Sequence, residues 1–343
     1  MTRAFLIAVT LIATAATGVA RAEEDKPLVR WAISADEEPK QKVWTQPASV
    51  AFTSNADADD SWAVDVALRG DYALPAPGQT AQPGQRARRG TTTVFGRLVA
   101  HRNTETKNQL ETYAGELGMH FEPSTYREGA GQAPGDIWFL FTDASVAYVD
   151  KTVFADPKAN CAATPPPAAC GDQYERSVRA QVTVSPYHDM FETTAGFADS
   201  THTSVIGPAW THSFSPVLTL FHDEVIDAKV NASGVTPDGG VSGLKVVLGA
   251  ATSPRFADYR IVLRGSVQHV KTFQRNAARR ATFEARTDLF KLSADYEFGP
   301  RSFLGETGWA PSLGVTYTRG DDPLSGKRDV DTTVIGFKLK FTP

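Results

Sequence analysis

From residue 61 onward, apolar and polar residues alternate with a period of two, in strand-length stretches separated by Gly, Pro, Asn and Asp clusters. Successive side chains of a strand point to opposite faces, so Trp62, Val64, Val66 and Leu68 share one face while Asp65, Arg69 and Asp71 share the other. The same texture recurs at 91–103, 108–122, 136–150, 174–187, 203–213, 217–230, 243–252, 259–273, 281–298, 311–319 and 331–341. With the first stretch these make about twelve strands, and fourteen if a strand hides in the long 151–173 connection. Within 281–298 the apolar phase slips near Leu289, which predicts a β-bulge there. Residues 23–60 are polar and acidic, with one short strand-like piece at Ala48 to Phe52, and read as a lead-in or an inserted plug before a unit spanning 61–343.

The last stretch fixes the architecture. Ile335, Phe337, Leu339 and Phe341 alternate with Gly336, Lys338 and Lys340, so one face suits lipid and the other water. Beyond the N-terminal leader, nothing approaches the roughly 20 apolar residues that a spanning helix needs. A chain of this kind crosses a bilayer only as a closed barrel, because only helices and barrels satisfy every backbone group in lipid. The fold class expected is therefore all-β: a transmembrane, antiparallel, up-and-down β-barrel. Tight turns at 104–107, Phe214 to Pro216 and 253–258 alternate with long polar connections, an asymmetry that assigns long loops to one side of a membrane and short turns to the other. Trp62, Tyr72, Tyr187, Trp210, Tyr259, Trp309 and Tyr317 fall near strand ends, where aromatic girdles form at the lipid–water interface.

Composition adds a compartment. Met1-Thr2-Arg3, a mostly apolar run from Ala4 to Ala20, and Ala20-Arg21-Ala22 form the n-region, h-region and A-x-A site of a cleaved secretion signal, residues 1–22. The formal net charge of −4 excludes nucleic acid as an expected partner. The two cysteines, Cys161 and Cys170, flank Ala-Ala-Thr-Pro-Pro-Pro-Ala-Ala and read as a loop disulfide in an exported chain.

These features, the signal ending at Ala22, the strands from residue 61 and the terminal segment Ile335 to Phe341, resemble the Gram-negative outer-membrane β-barrels, porin-like proteins included. The resemblance implies an outer-membrane location, contact with lipid and lipopolysaccharide, and recognition of the C-terminal strand by barrel-assembly machinery. In that class the last residue is usually aromatic; here Thr342 and Pro343 follow Phe341.

Candidate chemistry lies on the polar faces. Arg179, Gln181, Arg260, Arg264, Glu284, Arg286, Asp288, Lys338 and Lys340 are the candidate lumen-lining residues of a narrow channel for small polar or charged solutes. The alternative is a non-conducting barrel serving as adhesin, anchor or assembly component. A catalytic reading would draw on Asp321-Asp322 facing His188-Asp189 across the outer rim, a pairing resembling the omptin proteases. The seven histidines are dispersed, and His202 with His212 is the nearest approach to a metal pair, so the expectation is no enzyme, no metal and no cofactor. The leader reading predicts that the exported protein begins at Glu23; N-terminal sequencing or intact mass of protein recovered from a Gram-negative envelope checks it.

Overall fold

A computed structural model describes residues 29–34, 48–53, 61–74, 91–104, 109–122, 138–154, 172–188, 191, 209–229, 239–276, 279, 283–301, 308–322, 324 and 327–342. Its strands are Val29–Ser34 (β1), Ala48–Thr53 (β2), Ser61–Ala73 (β3), Thr91–Asn103 (β4), Leu110–Glu122 (β5), Trp138–Val153 (β6), Gln173–His188 (β7), Trp210–Lys229 (β8), Gly239–Pro254 (β9), Ile261–Arg275 (β10), Arg286–Glu297 (β11), Gly308–Asp322 (β12) and Lys327–Thr342 (β13). Each pairs antiparallel with its sequence neighbours from β3 to β13, and β1 and β2 close the circle. The result is an up-and-down barrel of 12 strand positions.

The first of those positions is shared. Ile33 of β1 faces Leu68 of β3 and Phe341 of β13, while Val50 of β2 faces Val64 of β3 and Phe337 of β13. Ser34 pairs with Ala67 and Ser49 with Asp65, so the register along β3 resumes as though residues 35–47 were absent. The wall thus begins at Val29, ahead of the Ser61 start read from the alternation. Two short pieces of the 23–60 stretch are strand, and residues 35–47 lie outside the described residues.

Two local readings are corrected. Residues 203–213 and 217–230 do not form two strands about a turn at Phe214 to Pro216; β8 runs unbroken from Trp210 to Lys229. Phe214 pairs with Ala250 and Pro216 with Leu248, in register with their neighbours. Pro216 breaks the local propensity but not the ladder, because a proline forfeits only one donor. The bulge expected at Leu289 is also absent, since β10 and β11 pair continuously from Ile261–Tyr296 to Lys271–Arg286. Leu289 simply points inward and is buried. Register shifts occur instead at Arg176/Ser177, Thr272/Gln274 and Gly320/Asp322.

Joining β8 into one strand reverses the side assigned to every connection before it. The long 74–90, 123–137 and 189–209 connections gather at the end that carries the end of β13, and the 154–172 connection with its cysteines goes to the opposite end. Cys161 and Cys170 themselves lie outside the described residues.

The outer face is a belt of exposed apolar residues, including Leu117, Val146, Leu220, Leu248, Leu292, Leu313 and Ile335. Aromatics bound it below with Tyr72, Phe121, Tyr296, Phe298 and Trp309, at the end shared with the close of β13, and above with Trp62, Tyr113, Phe273, Phe290 and Tyr317. Of the girdle residues read from sequence, Tyr187 instead faces inward against Phe141 and Tyr259 packs on an interior cluster. Among and beyond the upper aromatics the outer face becomes ionic: Arg102–Glu111, Arg176 with Asp150 and Asp227, His269–Asp288 and Arg319–Asp331 form a collar. Such charges belong in water, so the strands project past the bilayer at this end.

Close packing of the inner face uses glycine where another side chain must cross. A Cβ on Gly118 would sit 2.5 Å from Phe95 Cζ and 2.6 Å from Ser145 Cβ. Gly118→Val is therefore expected to destabilise the barrel by about 1–3 kcal/mol, measured as a lower temperature for loss of the compact band in semi-native electrophoresis.

Candidate functional site: the barrel interior and its upper mouth

The inward faces are polar, and their charges are paired across neighbouring strands. Near the lower end, Arg264 of β10 donates to Asp295 at 2.6 Å and to Glu297 at 2.8 Å, both on β11. Lys338 of β13 donates to Asp295 and to Thr316 of β12, the latter at 2.7 Å. Ser293 also donates to Asp295, at 3.0 Å. The Arg264 and Asp295 side chains are 0% exposed. Burial of such groups is tolerated only because each charge meets an opposite one and its remaining hydrogen-bonding capacity is used.

On the far wall, Arg97 of β4 donates to Glu116 of β5, which also accepts from Ser145 of β6 and, at 2.9 Å, from Gln181 of β7. Arg69 forks onto Asp71 and its guanidinium lies 3.9 Å from the Phe95 ring centroid. His120 stacks on Phe141 and shares a 2.9 Å bond with Asp143. His101 pairs with Asp65.

The upper mouth carries a third network. Asp223 of β8 accepts from Arg179 at 3.0 Å, from Ser177 at 3.1 Å and from Arg279 at 2.9 Å. Arg279 belongs to the β10–β11 connection and also donates to Glu175 of β7 at 2.7 Å. Arg179 reaches across the mouth to the carbonyl oxygen of Leu324, in the β12–β13 connection, at 2.9 Å. Beneath these polar contacts Phe283 and Leu324 pack with Phe221, Val241 and Val270 of the wall as a buried apolar cluster. Arg279, Phe283 and Leu324 are thus held inside the upper end, by charge at Arg279 and at the Leu324 carbonyl and by apolar contact at Phe283 and the Leu324 side chain.

The sequence-read lining residues divide accordingly. Arg179, Gln181, Arg264 and Lys338 face inward and belong to these networks. Arg286 and Asp288 are exposed on the outer face, where Asp288 pairs with His269. Glu284 is exposed just before β11, and Arg260 lies in the lower β9–β10 turn, donating to the carbonyl of Glu297 at 3.2 Å. The side chain of Lys340 lies outside the described residues, although its backbone pairs with Ala310. Misplacing Arg286 and Asp288 follows directly from the bulge read at Leu289, because a shift of one residue swaps the faces of a strand.

Glu175, Arg279, Asp295 and Glu297 were not singled out from the sequence. For Glu175, Asp295 and Glu297 the signal was there: Glu175 is in phase with Arg179, and Asp295 and Glu297 are in phase with Ser293. Arg279 lies outside any alternating stretch. The omptin-like pairing is not formed, since Asp322 closes β12 at the upper end and His188 closes β7 at the lower. Arg69-Gly70-Asp71, which spells an adhesive tripeptide, turns its two charged side chains inward onto each other. His202 lies outside the described residues, and no group of three metal-ligating side chains occurs among the described residues.

No protein-family model and no curated protein matches the chain. Among solved structures it is similar to the translocator domain of the autotransporter NalP from Neisseria meningitidis, at 11% identity and a TM-score of 0.43, covering 99% of this chain and 95% of that one. It is also similar to the beta domain of the Bordetella autotransporter Brka (10%, TM-score 0.40, 92% and 99%) and to the transport unit of the autotransporter AIDA-I from Escherichia coli (8%, TM-score 0.38, 98% and 97%). The barrel assignment rests on the strand pairings and the apolar belt of this chain.

Removing Arg264 would take from Asp295 and Glu297, both buried, the guanidinium that bonds them both. Arg264→Met is expected to cost about 3–5 kcal/mol, whereas Arg319→Gln, which lies in the exposed collar, leaves stability unchanged. Urea unfolding of the refolded barrel in detergent, followed by tryptophan fluorescence, checks the contrast.

Proposed function

We propose that this outer-membrane β-barrel is a narrow channel for small polar or charged solutes. The observation that carries the reading is an interior lined by ionised residues of both signs around a wall of 12 strand positions. Barrels of about 8 strands are filled by their own side chains and those of 16–18 hold open water. A barrel of intermediate girth with a charged inner surface suits a restricted path that sorts by charge. The outer belt takes lipid and lipopolysaccharide, and β13, apolar outward through Ile335 and Phe337, is the strand offered to assembly machinery.

The contacts that Arg279 and Leu324 make inside the upper end favour a second reading, a non-conducting surface barrel whose collar makes contacts outside the cell. Planar-bilayer recording separates the two. A channel gives discrete conductance steps smaller than those of a wide sieve. Asp71, inward and 23% exposed beside Arg69, contributes negative field to that path; Asp71→Asn shifts the reversal potential in a KCl gradient toward anions. Silent bilayers from the wild-type barrel and from Arg279→Gln alike would leave the surface-barrel reading in place.

A further inference from the structure

Arg279 occupies a seat built by the wall. Its two terminal nitrogens bond different acids on adjacent strands, Glu175 Oε2 at 2.7 Å and Asp223 Oδ1 at 2.9 Å, and its side chain is 1% exposed. A guanidinium presents its donors as a planar fork, and two carboxylates spaced to take both ends make a specific site, not a general attraction. The seat is kept in shape from behind: Arg179 and Ser177 bond the second oxygen of Asp223, and Lys151 lies 3.8 Å from the second oxygen of Glu175. The Arg279 guanidinium also sits 5.5 Å from the ring centroid of Phe283, which belongs to the apolar cluster that includes Leu324. Asp223 is thereby common to both connections, directly through Arg279 and through Arg179 to the Leu324 carbonyl.

We propose that Arg279 is an internal latch: by occupying the Glu175–Asp223 guanidinium seat it holds itself, Phe283 and Leu324 inside the upper mouth, so that all three leave the wall together when the seat is lost. The proposal concerns the seated state of Arg279 and rests on the channel reading only for its consequence, conduction. The balance of forces fits a switch. The latch contacts are charge-assisted hydrogen bonds, Asp223 keeps Arg179 and Ser177 and Glu175 keeps Lys151 nearby when Arg279 leaves, and the apolar cluster is a handful of residues, so seated and released arrangements differ by local contacts with the wall unchanged.

The latch is read without conduction by trypsin, which cleaves after Arg279 only when that residue leaves its seat. Refolded full-length barrel in detergent is digested and the Arg279–Arg280 cut is quantified by mass spectrometry. Wild type is expected to resist, and Asp223→Asn and Glu175→Gln to be cut at least about tenfold faster while keeping the heat-modifiable mobility of a folded barrel. Phe283→Ser, which leaves every charge in place, serves if Asp223→Asn does not fold, and is expected to raise the same cut. Arg319→Gln in the collar is expected to behave as wild type. In bilayers Arg279→Gln raises the open fraction. Equal cleavage of wild type and of the folded seat variants overturns the latch. Faster cleavage with silent bilayers supports the latch and overturns the channel.

Discussion

Everything in this molecule follows from the requirement that no backbone N–H or C=O meet lipid unpaired. A sheet of this length satisfies that requirement only by closing on itself, and the closure falls on the shortest of the described strands, β1 and β2. Neither spans β3 alone; together, in one continuous register, they supply the strand that β3 and β13 both need. Closure then divides every strand into a lipid face and an interior face, and the interior, too crowded for free water around every group, must neutralise its own charges. The Arg264, Asp295, Glu297 and Lys338 network and the Arg97 and Glu116 pair are consequences of that confinement.

The two ends of the barrel meet different demands. The lower rim ends close to its aromatics, where the apolar belt stops. The upper rim continues as strand into water, so its outer face exchanges apolar residues for an ionic collar. Inside the same end, the wall carboxylates of Glu175 and Asp223 take the guanidinium of Arg279. The charges outside and inside the upper rim are chemically similar but differ in environment: collar pairs are solvated and weak, while Asp223 and its partners are buried and strongly interdependent.

Which parts of this were legible beforehand depends on whether neighbouring residues carried the information. The faces of β3, Trp62 to Leu68 outward and Asp65 to Asp71 inward, follow from alternation alone and stand as read. Pro216 misled because a proline signals a turn locally, although the ladder to β9 runs in register through it. Leu289 misled in the opposite sense: an apolar residue facing inward looks like a change of phase when the interior is assumed to be uniformly polar. That one assumption moved Arg286 and Asp288 to the wrong face. The strand count nonetheless agreed, because one strand was divided at Pro216 and one, the shared first strand, was only glimpsed at Ala48 to Phe52.

The sequence by itself determined the period of two from residue 61 onward, and hence a closed sheet with one lipid face, since this depends on residues two apart. Only the tertiary structure decided that β1 and β2 complete the wall, that the long connections collect at the lower end, and that Arg279 reaches Glu175 and Asp223. Those are pairings between residues far apart in the chain, fixed by where closure brings the strands, and no local pattern encodes them.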